Sequence, residues 1–192
     1  MKSGNIDHPI SELIAKRRSI RAFLPQAVEQ EKIHSLFEAT RWAPSSTNEQ
    51  PWVYIYATKD QPELWNKLFQ ALNEGNKLVA KEAPLLILSL ARKNFTRYPG
   101  PNTYAMYDLG GANSFLALQA VELGLQIRQM AGYNRVKLIE NLSIPEEFEI
   151  GVLMAVGYPG DPSTLPENLK NRETAPRERL SQEIFVMNKG FE

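Results

Sequence analysis

Residues Pro84-Leu-Leu-Ile-Leu-Ser-Leu90 are apolar at every position but Ser89. The run is far too short to span a membrane. It also lacks the alternation of a strand with one wet face, so it reads as a strand covered on both faces. A second segment makes the same demand. Tyr104 to Leu123 predicts a long helix that is apolar or small over most of its circumference, and such a helix is buried. Within it Gly110, Gly111, Ala112 and Ser114 are small enough to let another helix approach closely, and Gly124 follows as a stop. The rest of the chain must therefore supply layers that cover both segments.

The remaining pattern supplies those layers. Asp7-His8-Pro9 ahead of Ile10, Leu13 and Ile14 predicts a helix capped near Asp7 or His8, with Pro9 in its first turn. Ile33, Leu36, Phe37, Trp42 and Ala43 give residues 31–43 helical spacing, and residues 64–72 return to it. Trp52-Val-Tyr-Ile-Tyr-Ala57 is aromatic and β-branched and predicts a strand. Residues 92–102 are a loop punctuated by Pro and Gly, 125–130 a weak strand, 135–141 a short helix and 149–156 a strand. Beyond Gly157 the chain is Pro-rich and charged as far as Arg179, with too few apolar residues for a core of its own; it should wrap something. No repeat or linker divides the chain. Alternating helices and strands favour an α/β or mixed α+β sandwich over the 192 residues.

Composition removes several function classes. There is no cysteine, so disulfides, thiolate nucleophiles, iron–sulfur ligation and cysteine zinc sites are excluded. His8 and His34 are the only histidines and share no ligand spacing, which argues against a Ser-His-Asp triad or a zinc hydrolase. Twenty-two basic and 22 acidic residues cancel, against the basic excess of a nucleic-acid binder. The start of the chain shows no apolar leader and no apolar stretch reaches membrane-span length, so a soluble cytoplasmic protein is expected.

Two clusters carry chemistry. In Arg17-Arg18-Ser19-Ile20-Arg21, residues 17, 19 and 21 share a face if the chain is extended. Two guanidinium groups and a hydroxyl then converge as a phosphate dianion requires, with Ile20 and Ala22 facing inward. The plainer alternative is that Arg17 and Arg18 complement a helix C-terminus. Pro44-Ser45-Ser46-Thr47-Asn48-Glu49-Gln50-Pro51 is bracketed by prolines that forbid regular structure. It offers hydroxyls, amides and backbone N–H groups suited to the polar edge of a flavin, or simply to a helix-to-strand turn. It has no glycine and is not a nucleotide-triphosphate loop.

Taken in order, Arg-Arg-Ser-Ile-Arg, Ala-Pro-Ser-Ser-x-Asn-x-Gln-Pro-Trp, the small-residue helix after Tyr107-Asp108, Gln129-Met130-Ala131-Gly132-Tyr133, Val156-Gly157-Tyr158-Pro159 and Pro176-Arg177-Glu178-Arg179 resemble the nitroreductase family over nearly the whole chain. The resemblance implies a three-layer α-β-α sandwich in an intertwined homodimer, one domain over 1–192 with 158–192 a tail wrapping the partner subunit. It implies FMN as cofactor and NADH or NADPH as reductant. Carried over, Arg17, Arg18, Ser19 and Arg21 hold phosphate and ribityl oxygens, and Arg177 and Arg179 close the phosphate site. Pro44, Ser45, Ser46, Asn48 and Gln50 reach the ring from the second subunit. Gln129, Met130, Ala131 and Gly132 lie beside the flavin N5 edge, and Asn76 contacts the ring. No protein acid or base is needed. The implied activity is ping-pong hydride transfer to a nitroaromatic, quinone or similar acceptor; a flavin-storing or flavin-sensing protein without turnover is the alternative. The family tail often continues Arg-Lys-Pro-Leu where this chain reads Arg179-Leu180-Ser181-Gln182, and the 92–102 excursion is short beside the helical lids of many relatives.

Overall fold

A computed structural model describes residues 6–191. Residues 1–5, on which part of the leader expectation falls, lie outside it. Four strands form one antiparallel sheet: β1 (Trp52–Thr58), β2 (Leu85–Arg92), β3 (Gln126–Met130) and β4 (Phe148–Gly157), in the order β1-β2-β4-β3. The apolar run is β2, an inner strand with every residue from Leu85 to Ala91 buried. Its alternate residues feed two cores. Leu86, Leu88 and Leu90 pack with α3 (Pro62–Ala71), α4 (Glu74–Ala80) and α6 (Arg135–Leu142). Leu85 and Ile87 pack with α2 (Gln30–Arg41) and α5 (Ala105–Glu122). The result is the expected three-layer α-β-α sandwich.

The one polar residue in the run is satisfied by the sheet. The Ser89 hydroxyl donates to the Val152 carbonyl and accepts the Val152 N–H, both at 3.0 Å, where the β2–β4 register slips. Asn113 of α5 donates to the same oxygen at 3.3 Å and accepts the Tyr54 hydroxyl at 3.0 Å. This buried network ties α5 to the sheet at a fixed register.

Three elements differ from expectation. α1 runs only over Glu12–Lys16, with Ser11 at its N-cap and not Asp7 or His8. Ile6, Ile10 and Ile14 remain exposed, so no apolar face within the subunit repays the cost of nucleating a longer helix. α4 was not anticipated; its signal is the cap, in which the Asn73 side chain accepts the Asn76 N–H at 2.9 Å. The tail is not extended throughout, because Glu167–Thr174 forms α7. Leu169 and Glu173, one turn apart, are its buried residues, and Leu169 joins the core beneath it.

α5 ends as its glycine requires. Gly124, at φ 75°, donates to the Val121 carbonyl and Leu125 to the Ala120 carbonyl, closing the helix in a left-handed cap. Replacing Gly124 by Ala adds a Cβ that meets nothing within 4 Å, so only backbone strain is introduced. Chemical denaturation should show a loss of about 1 kcal/mol with an unchanged m-value.

Candidate functional site

The segment after α1 is extended, as its alternating pattern predicts, and Ile20 and Ala22 are buried. It is pinned along the edge strand β3. The Arg18 N–H donates to Gln126 Oε1 at 2.8 Å, while Gln126 Nε2 donates to the Lys16 carbonyl at 3.3 Å. Arg128, on the same face of β3, donates to Ser19 Oγ at 3.4 Å. Leu24 and Gly160 then bond across to Tyr158 and Ala22, locking the segment to the exit of β4.

The tail returns to this corner. Arg177 donates to the carbonyls of Ala15 at 2.6 Å and Arg17 at 2.7 Å, the last acceptors of α1. That clasp sets Arg179 beside Arg17. Burial and the Arg179 charge lower the Arg17 pKa from its usual value; burial followed by Arg18, Arg179 and Arg17 does the same to Arg177. A cleft of about 140 Å³ opens here, lined by Ile14, Ala15, Arg17, Arg177 and Arg179 with Ile6 and Ile10. Arg18 and Arg21 serve the tail as well: Arg18 donates to the Glu173 carbonyl at 3.0 Å, and Arg21 to the Arg172 carbonyl and the Glu173 carboxylate, each at 3.2 Å. Arg21 is therefore engaged in a buried ion pair, which sequence reasoning did not foresee.

The charge balance of this corner is unusual. Arg17, Arg18, Arg21, Arg128, Arg172, Arg177 and Arg179 meet there, and Glu173 is the carboxylate that pairs with one of them. The Nε–H groups of Arg21, Arg128 and Arg177 are buried without an acceptor. Clustered guanidinium groups with unspent donors fit a phosphate, which supplies both charge and acceptor oxygens. Arg128 and Gln126 were missed because nothing in a short edge strand tells which distant segment its polar face will meet.

At the far end of β3 the backbone makes a second set of contacts. The Gly132 carbonyl accepts the Asn73 N–H at 3.0 Å and the Asn76 side-chain amide at 3.1 Å, so Asn76 does adjoin residues 129–132. Tyr133 donates to the Gly151 carbonyl at 2.7 Å. Gln129 and Ala131 are exposed, whereas Met130 is buried in the core and paired with Leu153 in the sheet, so it does not present its side chain to a ligand as expected.

The Pro44–Pro51 segment lies elsewhere. Thr47, Asn48 and Gln50 all have φ between 52° and 57°, a left-handed conformation that costs non-glycine residues energy and is characteristic of functional turns. Buried carboxylates hold it. Asp108 of α5 accepts the Ser46 N–H at 3.1 Å, and Glu49 accepts the Thr96 N–H and hydroxyl, both at 2.6 Å. These Thr96 bonds hold the Glu49 pKa below the ordinary carboxylate range despite its burial. Ser45 Oγ accepts the Gln50 N–H at 2.9 Å, and the Gln50 amide donates to Asn48 Oδ1 at 3.1 Å. The 92–102 loop is thereby tied to this turn, also through Thr47 and Tyr98, whose hydroxyls are 3.0 Å apart.

The two constellations occupy diagonally opposite corners of one subunit. Trp52 pairs with Ala91 and so aligns with Glu149, whereas Arg128 pairs with Ala155, six residues further along β4. With strands about 4.8 Å apart and about 3.3 Å per residue, three strand spacings and six residues separate the corners by about 25 Å.

The model of the nitroreductase family matches residues 14–158. The chain belongs to the nitroreductase family. A protein of Archaeoglobus fulgidus named as an NADH dehydrogenase/NAD(P)H nitroreductase is 31% identical over 156 residues, covering 78% of this chain and 85% of its own length. A crystal structure described as an oxidoreductase containing FMN superposes with a TM-score of 0.92 at 31% identity, over 98% of this chain and 96% of that one. A nitroreductase family protein from Clostridium difficile superposes with a TM-score of 0.74 at 27% identity, over 96% and 100%.

Two variants probe the site's supports. A Cβ on Gly132 would overlap the Asn73 side-chain amide and crowd that of Asn76. Gly132→Ala should displace the α4 cap and cost about 1–2 kcal/mol in denaturant unfolding. The Glu49 carboxylate, with its depressed pKa, contributes its tether above the ordinary carboxylate range and loses it as pH falls through its lowered value. Amide exchange at Thr96 should therefore stay protected at pH 5 and rise only in stronger acid, whereas Glu49→Gln should weaken that protection at pH 7.

Proposed function

We propose that this nitroreductase family member is an FMN-dependent NAD(P)H oxidoreductase that acts in the cytoplasm as a homodimer. The observation that carries the reading is the excess of partly buried arginines, drawn from both ends of the chain, with unspent N–H donors. Arg17, Ser19 and Arg179 would grip the FMN phosphate, with Arg177 fixing the tail that delivers Arg179. Gln129, Ala131 and Gly132, with Asn76, would border the ring. Held there, FMN would supply the two-electron chemistry of a ping-pong exchange between NADH or NADPH and a nitroaromatic, quinone or similar electron-poor acceptor.

The chain's own residues bind, orient and exclude water. Backbone N–H groups and arginines near the site favour the negative charge that reduction adds. Because the turn at Pro44–Pro51 lies about 25 Å from the arginines by the sheet spacing, its Ser45, Ser46, Asn48 and Gln50 would serve the ring bound by the partner subunit. The exposed side of α5 supports that pairing. Met106, Tyr107 and Phe115 are exposed there, Tyr107 at 82%. A Cβ on Gly110 or Gly111 would meet nothing within 4 Å in the subunit, so the closeness those glycines permit is available to a second helix.

Purified protein should be yellow, release FMN on denaturation, and oxidise NADH or NADPH in the presence of a nitroaromatic or quinone. Colourless protein that ignores added FMN would overturn the reading; flavin binding without turnover of any acceptor would point to storage. Among the described residues, neither the Arg17 guanidinium nor that of Arg179 holds another element in place, Arg179 bonding there only to the adjacent Glu178 carbonyl. Arg17→Ala with Arg179→Ala should thus abolish FMN retention while shifting thermal unfolding little. Arg177→Ala, which takes the donor away from the Ala15 and Arg17 carbonyls, should lower stability by about 1–3 kcal/mol as well.

A further inference from the structure

The geometry points to Arg128 as a further cofactor-contacting residue, presenting its guanidinium beside Ser19 to the acceptor oxygens at the phosphate end of the bound mononucleotide. The inference rests on the FMN reading above and adds to it a contact that comes from the edge strand, where the known motifs of the chain do not reach. Three observations support it. First, Arg128 is partly buried yet poorly spent: among the described residues its one side-chain bond is a long one of 3.4 Å to Ser19 Oγ, and its Nε–H is buried without an acceptor. Its neighbour on the same face of β3 behaves differently, since Gln126 both accepts and donates to backbone of residues 16–18. A purely structural arginine would be satisfied in the same manner.

Second, the available carboxylate is committed elsewhere. Glu173 pairs with Arg21 at 3.2 Å, and among the described residues no carboxylate lies within ion-pair distance of Arg128. Burial lowers its pKa first, and Arg21 and Arg172 lower it further against the single opposing carboxylate of Glu173, so its surroundings carry a net positive charge. Burying a guanidinium among like charges is unfavourable unless an anion joins them. Third, the strand partner across the sheet is small: Arg128 pairs with Ala155, so the side chain is free to run along the face toward Ser19 and is not driven outward by its neighbour.

The test measures FMN and riboflavin binding to flavin-free protein by flavin fluorescence, in wild type and in Arg128→Ala, Arg128→Gln and Arg128→Lys. Arg128→Ala and Arg128→Gln should raise the FMN Kd roughly 10- to 100-fold, the loss expected for one charge-assisted contact. Riboflavin, which lacks the phosphate, should bind each variant within about threefold of wild type, and Arg128→Lys should recover part of the FMN affinity. Arg128→Gln keeps most of the aliphatic stem, so its cooperative unfolding separates lost contact from lost folding even if the alanine variant proves unstable. Unchanged FMN affinity, or an equal loss for FMN and riboflavin, would overturn the assignment of Arg128 while leaving the FMN reading intact. Wild-type protein that binds no FMN would remove both.

Discussion

The clasp of Arg177 on the carbonyls of Ala15 and Arg17 is the contact on which the candidate site depends. It joins the two ends of the chain, residues 160 and 162 positions apart. The clasp also supplies acceptors' partners at the C-terminus of a helix too short to satisfy itself. A five-residue helix contributes almost nothing on its own. Anchored by a guanidinium it becomes a fixed edge, and the residues that follow leave it extended along β3. The tail in turn owes its course to α7, which buries Leu169 and delivers the carbonyls of Arg172 and Glu173 to Arg21 and Arg18. Arginines here act twice, first as the ties that close the fold and then as the charge that closure leaves concentrated.

That concentration works against stability. Burial and the neighbouring positive charges lower the pKa values of Arg17, Arg128 and Arg177, so these guanidinium groups repel one another, while Arg172 and Arg179 are exposed and screened by water. Glu173 relieves only part of that repulsion. The remaining excess makes physical sense if an anion completes the cluster, since a group that binds only the folded form stabilises it by mass action. By this logic the flavin phosphate would be a structural element as much as a cofactor handle.

What was legible in the sequence followed from local rules. The run at residues 84–90 announced a strand buried on both faces, and Gly124 announced the end of α5, because each depends on a few adjacent residues. Arg17, Ser19 and Arg21 announced an alternating face for the same reason. What stayed hidden depended on partners far along the chain. Arg128 meets Ser19 across 109 positions, and Glu173 meets Arg21 across 152. The turn at residues 44–50 concealed its left-handed backbone because it carries no glycine there; Asp108 and Glu49 hold the conformation through Ser46 and Thr96. α4 is too short and α7 too polar to show an apolar stripe; α4 is fixed by its cap and by buried Val79 and Ala80, α7 by one buried leucine.

The same separation leaves two polar corners that, on the proposed reading, would be half-sites. A sheet held by the Ser89–Val152–Asn113–Tyr54 network is stiff, so the corner bearing the arginines and the corner bearing the strained turn cannot approach one another by bending. Their chemistry is nevertheless complementary, one suited to a phosphate and the other to a polar ring edge. Under that reading, apposition of two copies would let both act on one ligand without deforming either. On the proposed reading, strain at Thr47, Asn48 and Gln50 is then stored in each subunit for the benefit of its partner, and the glycines at 110 and 111 set how closely the two can come.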